Sequence, residues 1–257
     1  MNYRDVSDGA IGEYSGRLMR HISKEQDVSE PWILITGNGA FGDTAERADL
    51  RYPVNPSSVL ATGLDGEVIA GHRIVGRALD WRRHPREALA PILEASLDAP
   101  PAIVLSTGVF SGRTTVTVER TAVNVQDFQF AGDDGRRPAG EPVETSGPTA
   151  YLATVPIKAM THAMRSRGIP ALISNSASTH GCNSVMYTAL HLIAERGLPT
   201  RAGFIHLPDT PQHIASVGSN GPSMDLRLQA EALRVAIEAA VSHADCDLDV
   251  PANEWEW

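Results

Sequence analysis

Short apolar runs that stop at glycine or proline alternate with stretches of helical period along most of this 257-residue chain, and few architectures accept that order. The first run, Trp32-Ile33-Leu34-Ile35, is halted by Thr36-Gly37, and after a glycine-containing loop Asn55-Pro56-Ser57 has the chemistry of a helix start. A weaker strand is expected near residues 68–75, a helix near 85–97, and a strand at Ala102-Ile103-Val104-Leu105 ahead of Thr107-Gly108. Residues 114–125 are extended, with Val116, Val118, Val123 and Val125 on period two. A helix is expected over 154–167, where Ile157, Met160, Ala163 and Met164 recur at helical spacing before Gly168 and Pro170. Then come a strand at Ala171-Leu172-Ile173, a helix over 183–196 closed by Gly197 and Pro199, and a strand at Ala202-Gly203-Phe204-Ile205. A last helix over 223–241 carries Leu226, Leu233, Ile237 and Val241 on one stripe. This alternation predicts an α/β fold of three layers, a mainly parallel sheet with helices on both faces, and ligands in such sheets gather at the carboxyl ends of strands.

The length suffices for one large core. Residues 1–30 read as an N-terminal extension with a possible short helix over 11–22, residues 31–245 as a single α/β hydrolase domain, and residues 246–257 as a C-terminal tail. Residues 133–148, rich in Gly, Pro and acids, form a long surface loop, a feature that often serves a function. The formal net charge of -9 argues against a phosphate-neutralising surface, so neither nucleic acid nor an acidic membrane is an expected partner. The opening residues lack the apolar run of a signal peptide or anchor, and no segment has transmembrane length. Two cysteines, Cys182 and Cys246, are too few for a disulfide framework, which makes a reducing compartment, the cytoplasm, the expected location.

Cys182 follows Ala177-Ser178-Thr179-His180-Gly181 at the entry to a helix, where the dipole and free N–H groups favour a thiolate and could hold an oxyanion. His206 closes a strand that Pro208 prevents from continuing, so it too sits at a carboxyl end. Glu119 follows an extended run in Thr117-Val118-Glu119-Arg120. Singly, each admits a plainer reading: an inert buried thiol, one structural histidine among nine, a solvated carboxylate. Cys246 lies between Asp245 and Asp247, whose charges disfavour a thiolate, and no catalytic role is expected of it.

Together these segments resemble the pyroglutamyl peptidase I (pyrrolidone-carboxylate peptidase) family of cysteine peptidases over residues 32–212. The resemblance rests on Thr36-Gly37 with Phe41-Gly42, on Asn55-Pro56-Ser57, on Thr117-x-Glu119-Arg120-x-Ala122-x-Asn124 and on Pro156-Ile157-Lys158-Ala159-Met160. It rests most on Ser174-Asn175-x-Ala177 leading to Cys182-Asn183, with Met186-Tyr187 and His191 beyond, and on Gly203-Phe204-Ile205-His206-x-Pro208. It implies an α/β sandwich around a twisted sheet, no cofactor or metal, and a homo-oligomer, a dimer or tetramer. It also implies catalytic roles for Glu119, Cys182 and His206. His206 would take the thiol proton, Cys182 would attack an amide carbonyl, and His206 would protonate the departing amine before water cleaves the thioester. Glu119 would fix the imidazole tautomer.

Departures from the family cluster where substrate would lie. The family's Thr-Gly-Phe-x-Pro-Phe-Gly loop supplies two phenylalanines that sandwich a pyroglutamyl ring; here Asn38 takes the first position, Ala40 replaces the proline, and Phe41 remains. Where the family has Ala-Gly-x-aromatic-aliphatic before the nucleophile, this chain has Ala177-Ser178-Thr179-His180-Gly181. Val109 replaces a glutamine that faces the ligand, and Gln129 replaces an arginine near the oxyanion. Asn38, Phe41, Val109, Gln129, His180 and Gly181 are therefore the expected substrate-binding set. Exchanged polar groups redirect specificity, so the expected substrate is a small-molecule amide or short peptide, with a lactam or N-acyl amide preferred to a standard pyroglutamyl peptide. A true pyroglutamyl peptidase, a non-catalytic binding protein on the same fold, and a zinc site built from His180, Cys182 and His206 remain alternatives. The loop from Thr36 to Gly42 lacks the lysine and spacing of nucleotide-binding loops. The run Trp81-Arg82-Arg83-His84 reads as a solvated face, and the tail Asn253-Glu254-Trp255-Glu256-Trp257 either packs on a neighbouring subunit or frays.

Overall fold

The computed structural model describes residues 30–42, 51–80, 82–132 and 134–251; the expected helix at 11–22, Trp81 and the tryptophan-bearing end of the tail lie outside them. The central sheet is built from β1 (Trp32–Asn38), β2 (Val68–Ile69), β3 (His72–Leu79), β4 (Ile103–Val109), β5 (Val116–Glu119), β10 (Ala171–Ser174) and β11 (Arg201–Leu207), in the order β10-β5-β11-β4-β1-β3-β2. Four short strands lie apart from it: β6 (Thr121–Val123) pairs with β9 (Ala150–Leu152), and β7 (Gln126–Asp127) with β8 (Ala139–Glu141). Every residue of β4 is buried, the pattern of a strand covered on both faces.

The helices are α1 (Pro56–Gly63), α2 (Pro85–Glu94), α3 (Ile157–Ser166), α4 (Gly181–Arg196), α5 (Pro211–Val217) and α6 (Leu226–Ser242). Strand side chains alternate between faces. Ile33, Ile35, Ile103, Leu105, Ile205 and Leu207 share a core with α1, α3 and α6, whereas Leu34, Val104, Ala202 and Phe204 share one with α2 and α4. Each such aliphatic side chain contributes about 1.5–3 kcal/mol by leaving water, and the expected three-layer α/β/α arrangement is the result.

Several details differ from the sequence-based expectation. The single strand over 68–75 is a hairpin, because Ala70 (φ 48°) and Gly71 (φ 76°) form a two-residue left-handed turn between β2 and β3. Helix α5 was not anticipated; at seven residues it is too short for a periodic signal, and the Thr210 side chain starts it by accepting from the His213 N–H at 3.2 Å. The surface loop past residue 133 is partly ordered by β8. The start of the tail is anchored, since the Asp247 carboxylate accepts from the Lys158 and Ala159 N–H groups at 3.0 and 2.8 Å, at the N-terminus of α3. No helix among the described residues is long and apolar enough to cross a membrane.

The sheet is mixed in a way that matters for the site. β3, β1, β4 and β11 are parallel, and β5 is parallel to β10, but β5 and β11 are antiparallel to each other.

Candidate active site

His206 is the sixth residue of β11, on the face that Phe204 turns toward α4. In the antiparallel register Phe204 lies opposite Glu119 and His206 opposite Thr117, so the Glu119 side chain is the diagonal neighbour of His206 on the same face. Contact follows: His206 Nδ1 is 2.7 Å from Glu119 Oε1, with both residues buried. Both groups sit at the carboxyl ends of their own strands, Glu119 as the last residue of β5, but because β5 runs antiparallel to β11 that end lies opposite Phe204, one diagonal step from His206. The same carboxylate oxygen accepts from Arg113 Nη1 at 2.6 Å and Thr117 Oγ1 at 3.2 Å, and Arg113 also donates to the Thr117 hydroxyl. The Arg113 guanidinium lies 4.1 Å above the Phe110 ring, which meets His206 edge-on at 5.1 Å. Sequence reasoning missed Arg113, although a cation six residues from a buried acid was the available signal.

Across the other ladder His206 pairs with Gly108 of β4. A Cβ on Gly108 would lie 2.9 Å from Cys182 Sγ, 2.6 Å from Asn38 Nδ2 and 3.0 Å from Phe204 Cζ, so the thiol occupies the space that glycine leaves open beside the histidine. Gly108 was read only as a strand terminator; the close approach explains the residue. Cys182 is the second residue of α4, two residues after the N-cap His180, whose side chain makes no capping hydrogen bond. Asn183, fully buried, accepts from the Val123 N–H at 2.9 Å and donates to the Val123 and Val125 carbonyls at 2.9 and 3.0 Å, bolting the helix entry to β6. The helix begins two residues before the expected start at 183.

Asn38 borders the cavity and also belongs to the nucleophile's surroundings. Its side chain is buried, and Nδ2 donates to Cys182 Sγ at 3.5 Å. The Asn55-Pro56-Ser57 motif holds it there: the Asn55 side chain accepts from the Ser57 N–H at 3.0 Å and donates to the Gly39 carbonyl at 3.1 Å, and the Asn38 N–H donates to Ser57 Oγ at 3.0 Å. Gly37 permits this docking, since a Cβ there would be 2.1 Å from the Ser57 carbonyl oxygen.

The electrostatics describe a neutral resting pair. Burial raises the Glu119 pKa, but the His206 hydrogen bond and charge, with Arg113, outweigh it and hold the group below the ordinary carboxylate range. Burial pushes His206 below 6.5, Glu119 opposes this, and the Arg113 charge adds to the lowering. Burial, seconded by the Glu119 charge, pushes the Cys182 thiol up to about 12, only partly countered by the Asn38 hydrogen bond. Burial thus works against the thiolate expected from the helix terminus, and the thiol rests protonated at neutral pH.

Cys182 and His206 open onto a cavity of about 380 Å³, the size range of small-ligand sites. All six residues expected to bind substrate, Asn38, Phe41, Val109, Gln129, His180 and Gly181, border it, and Glu119 sits behind His206, away from the opening. Phe110, Phe128 and Phe130 border it too and were not anticipated. The His180 ring is stacked against Phe128 at 4.0 Å and tilted against Phe130 at 4.6 Å, and burial lowers its pKa. Ser178, in the approach to the nucleophile, has φ 66° without being glycine. Among the described residues no three His, Cys, Asp or Glu side chains are placed to hold a metal ion, and Cys246 is exposed beyond α6.

The family model described as pyroglutamyl peptidase matches residues 32–243. The pyrrolidone-carboxylate peptidase of Mycobacterium bovis is 40% identical over 226 residues, 86% of this chain and 97% of that protein. The protein of the same name from Thermococcus litoralis is 34% identical over 221 residues, 84% of this chain and 96% of the other. Among solved structures, the pyrrolidone carboxyl peptidase of Thermococcus litoralis superposes with a TM-score of 0.76 at 34% identity, covering 86% of this chain and 99% of that one. A mutant pyrrolidone carboxyl peptidase from Pyrococcus furiosus does so with a TM-score of 0.73 at 35% identity, covering 82% and 99%.

Proposed function

The chain belongs to the pyroglutamyl peptidase family of cysteine peptidases, which hydrolyse amide bonds, and from that premise we propose that it removes pyroglutamate from the N-terminus of short peptides. The observation that carries this reading is the thiol of Cys182, beside His206, at the floor of a small cavity with Phe41, Phe110 and Phe128 on its walls. Flat aromatic faces suit a five-membered lactam. The expectation of a changed substrate leaned on several changed pocket positions, of which the lost aromatic wall at Asn38 was one; that residue donates to the sulfur, and Phe110 and Phe128 supply aromatic surface elsewhere. Family membership also removes the reason to favour a binding protein without turnover.

In the proposed mechanism neutral His206 takes the Cys182 proton as sulfur attacks the lactam-bearing amide carbonyl. The ionised Glu119 offsets the imidazolium charge that forms. N–H groups in the first turn of α4, not capped by His180, receive the oxyanion. The imidazolium then protonates the departing amine, and water, deprotonated by His206, cleaves the thioester. The reading takes residues 31–245 as the catalytic domain, acting in the cytoplasm as a homo-oligomer without metal or cofactor.

The test is turnover of pyroglutamyl-β-naphthylamide beside a panel of other lactams and N-acyl amides, with intact mass reporting adducts on Cys182. The pyroglutamyl compound is expected to be the best substrate. A panel member with a kcat/KM about tenfold higher, equal to 1.4 kcal/mol of transition-state preference, would establish a different specificity.

A further inference from the structure

Asp209 is buried completely three residues beyond His206, and the mechanism makes no use of it. Its backbone is fixed: Met224 N–H donates to the Asp209 carbonyl at 2.8 Å, and Gln229 Nε2 to the Pro208 carbonyl at 3.2 Å. Its two carboxylate oxygens reach in different directions. Oδ1 accepts from the Tyr52 hydroxyl, and Oδ2 accepts from the Gly112 N–H at 3.2 Å.

Each contact leads to a different wall of the cavity. Tyr52 and Phe41 form an isolated backbone bridge, N to O at 3.1 and 2.8 Å, and their rings stack at 4.8 Å. The other face of the Tyr52 ring lies on His213 at 4.0 Å and 12°, so the ring is held from both sides. Gly112 lies between Phe110, the second aromatic wall, and Arg113, which holds Glu119. One buried carboxylate thus ties the Phe41 wall to the segment bearing the Phe110 wall and the cation on the triad acid.

We propose that Asp209 is a positioning residue that sets the separation of Phe41 and Phe110 and so the fit of the substrate ring; this rests on the reading of the cavity as the pyroglutamyl pocket. The residue touches no reacting atom, and its effect falls on substrate binding more than on bond making. Tyr52→Phe removes one arm and Asp209→Ala removes both. Asp209→Asn keeps an acceptor for Gly112 and a donor for the Tyr52 oxygen.

The experiment measures kcat and KM for pyroglutamyl-β-naphthylamide, normalised to the Cys182 titrated by an alkylator, with amide hydrogen exchange at Phe41, Tyr52 and Gly112. Tyr52→Phe is expected to raise KM roughly tenfold, the loss typical of a buried bond to a carboxylate, with a much smaller change in kcat. In that variant exchange accelerates at Phe41 and Tyr52 alone. Asp209→Ala is expected to raise KM further and accelerate exchange at all three amides, and Asp209→Asn to restore KM to within about threefold of wild type. A merely structural role would reduce the titratable thiol and leave both KM and kcat per thiol unmoved, and that result, in Tyr52→Phe or Asp209→Ala, overturns the proposal. If Asp209→Ala does not fold, Tyr52→Phe decides by the same measure. If the unaltered protein does not cleave the pyroglutamyl compound, the functional reading fails. Exchange then still decides the coupling: unchanged exchange at Phe41 and Gly112 in Asp209→Ala refutes it.

Discussion

Substituting Gly108 by alanine probes the contact on which the site depends most. The added methyl would lie 2.6 Å from Asn38 Nδ2, 2.9 Å from Cys182 Sγ and 3.0 Å from Phe204 Cζ. Ordinary carbon contacts are about 3.5–4.0 Å, so the sulfur and its amide donor must retreat by roughly 0.5–1 Å. Phe204 is fully buried and pairs opposite Glu119, which leaves the crowding little room to relax on that side. Overpacking of this kind costs about 1–3 kcal/mol of stability, and misplacing a reacting group by about 1 Å costs on the order of 10²-fold in rate. The expected outcome is a kcat/KM, per titratable thiol, about a hundredfold below wild type, with Tm lower by roughly 2–10 °C. Gly63→Ala is the control: nothing lies within 4 Å of its Cβ position at the end of α1, so activity should be unchanged and stability equal or slightly higher. Purified Gly108→Ala protein with kcat/KM within about threefold of wild type would refute the claim that this glycine shapes the nucleophile's seat.

Cys182→Ser is expected to abolish amide hydrolysis while Cys246→Ser, at an exposed position beyond α6, leaves it intact; equal loss in both would break the assignment of the nucleophile. Because burial holds the thiol up to about 12, alkylation of Cys182 by iodoacetamide should rise about tenfold per pH unit through the alkaline range; a plateau near neutrality would show a preformed thiolate. With His206 held below 6.5, the base is already deprotonated at neutral pH, so the acid limb of kcat/KM should fall below pH 6.5. Arg113→Gln removes a charge that lowers the His206 pKa, so that limb should move to higher pH, with about 1.5–3 kcal/mol of stability lost from the Glu119 bond; an unmoved limb argues against the Arg113 role. Ser178→Gly relieves a left-handed side-chain conformation at φ 66° and should add about 0.5–1 kcal/mol by chemical denaturation without loss of activity; destabilisation would mean that the Ser178 side chain is required.

The sheet and helix order was legible because it rests on local signals. A buried strand such as Ile103-Val104-Leu105-Ser106 needs β-branched and aliphatic residues on both faces, and a helix start such as Asn55-Pro56-Ser57 needs a cap and a proline, whatever the rest of the chain does. Where the signal was short it failed: two residues with positive φ split the strand at 68–75, and seven residues of α5 showed no period. The site was legible through residue types that chemistry demands. Glu119 meets His206, Cys182 lines the same cavity as His206, and the residues beside them, Asn183 and Asn55, have the bonding duties that make such motifs recur.

Which partner each side chain meets was decided by assembly. Nothing in Thr117-Val118-Glu119 specifies that its strand runs antiparallel to β11, yet that direction is what sets Glu119 against His206. Asn38 read as a lost aromatic wall; it lines the cavity and donates to the sulfur as well, held there by α1 docked on Gly37. The thiol's protonation state followed the same course: the helix terminus is a local feature, but the burial that raises the thiol pKa arises only when β1, β4, β11 and α4 pack beside the sulfur. Composition and motif, being local, determined the kinds of element and the reactive groups; long-range packing, which alone sets distance and dielectric, determined what those groups touch and which of them carry charge.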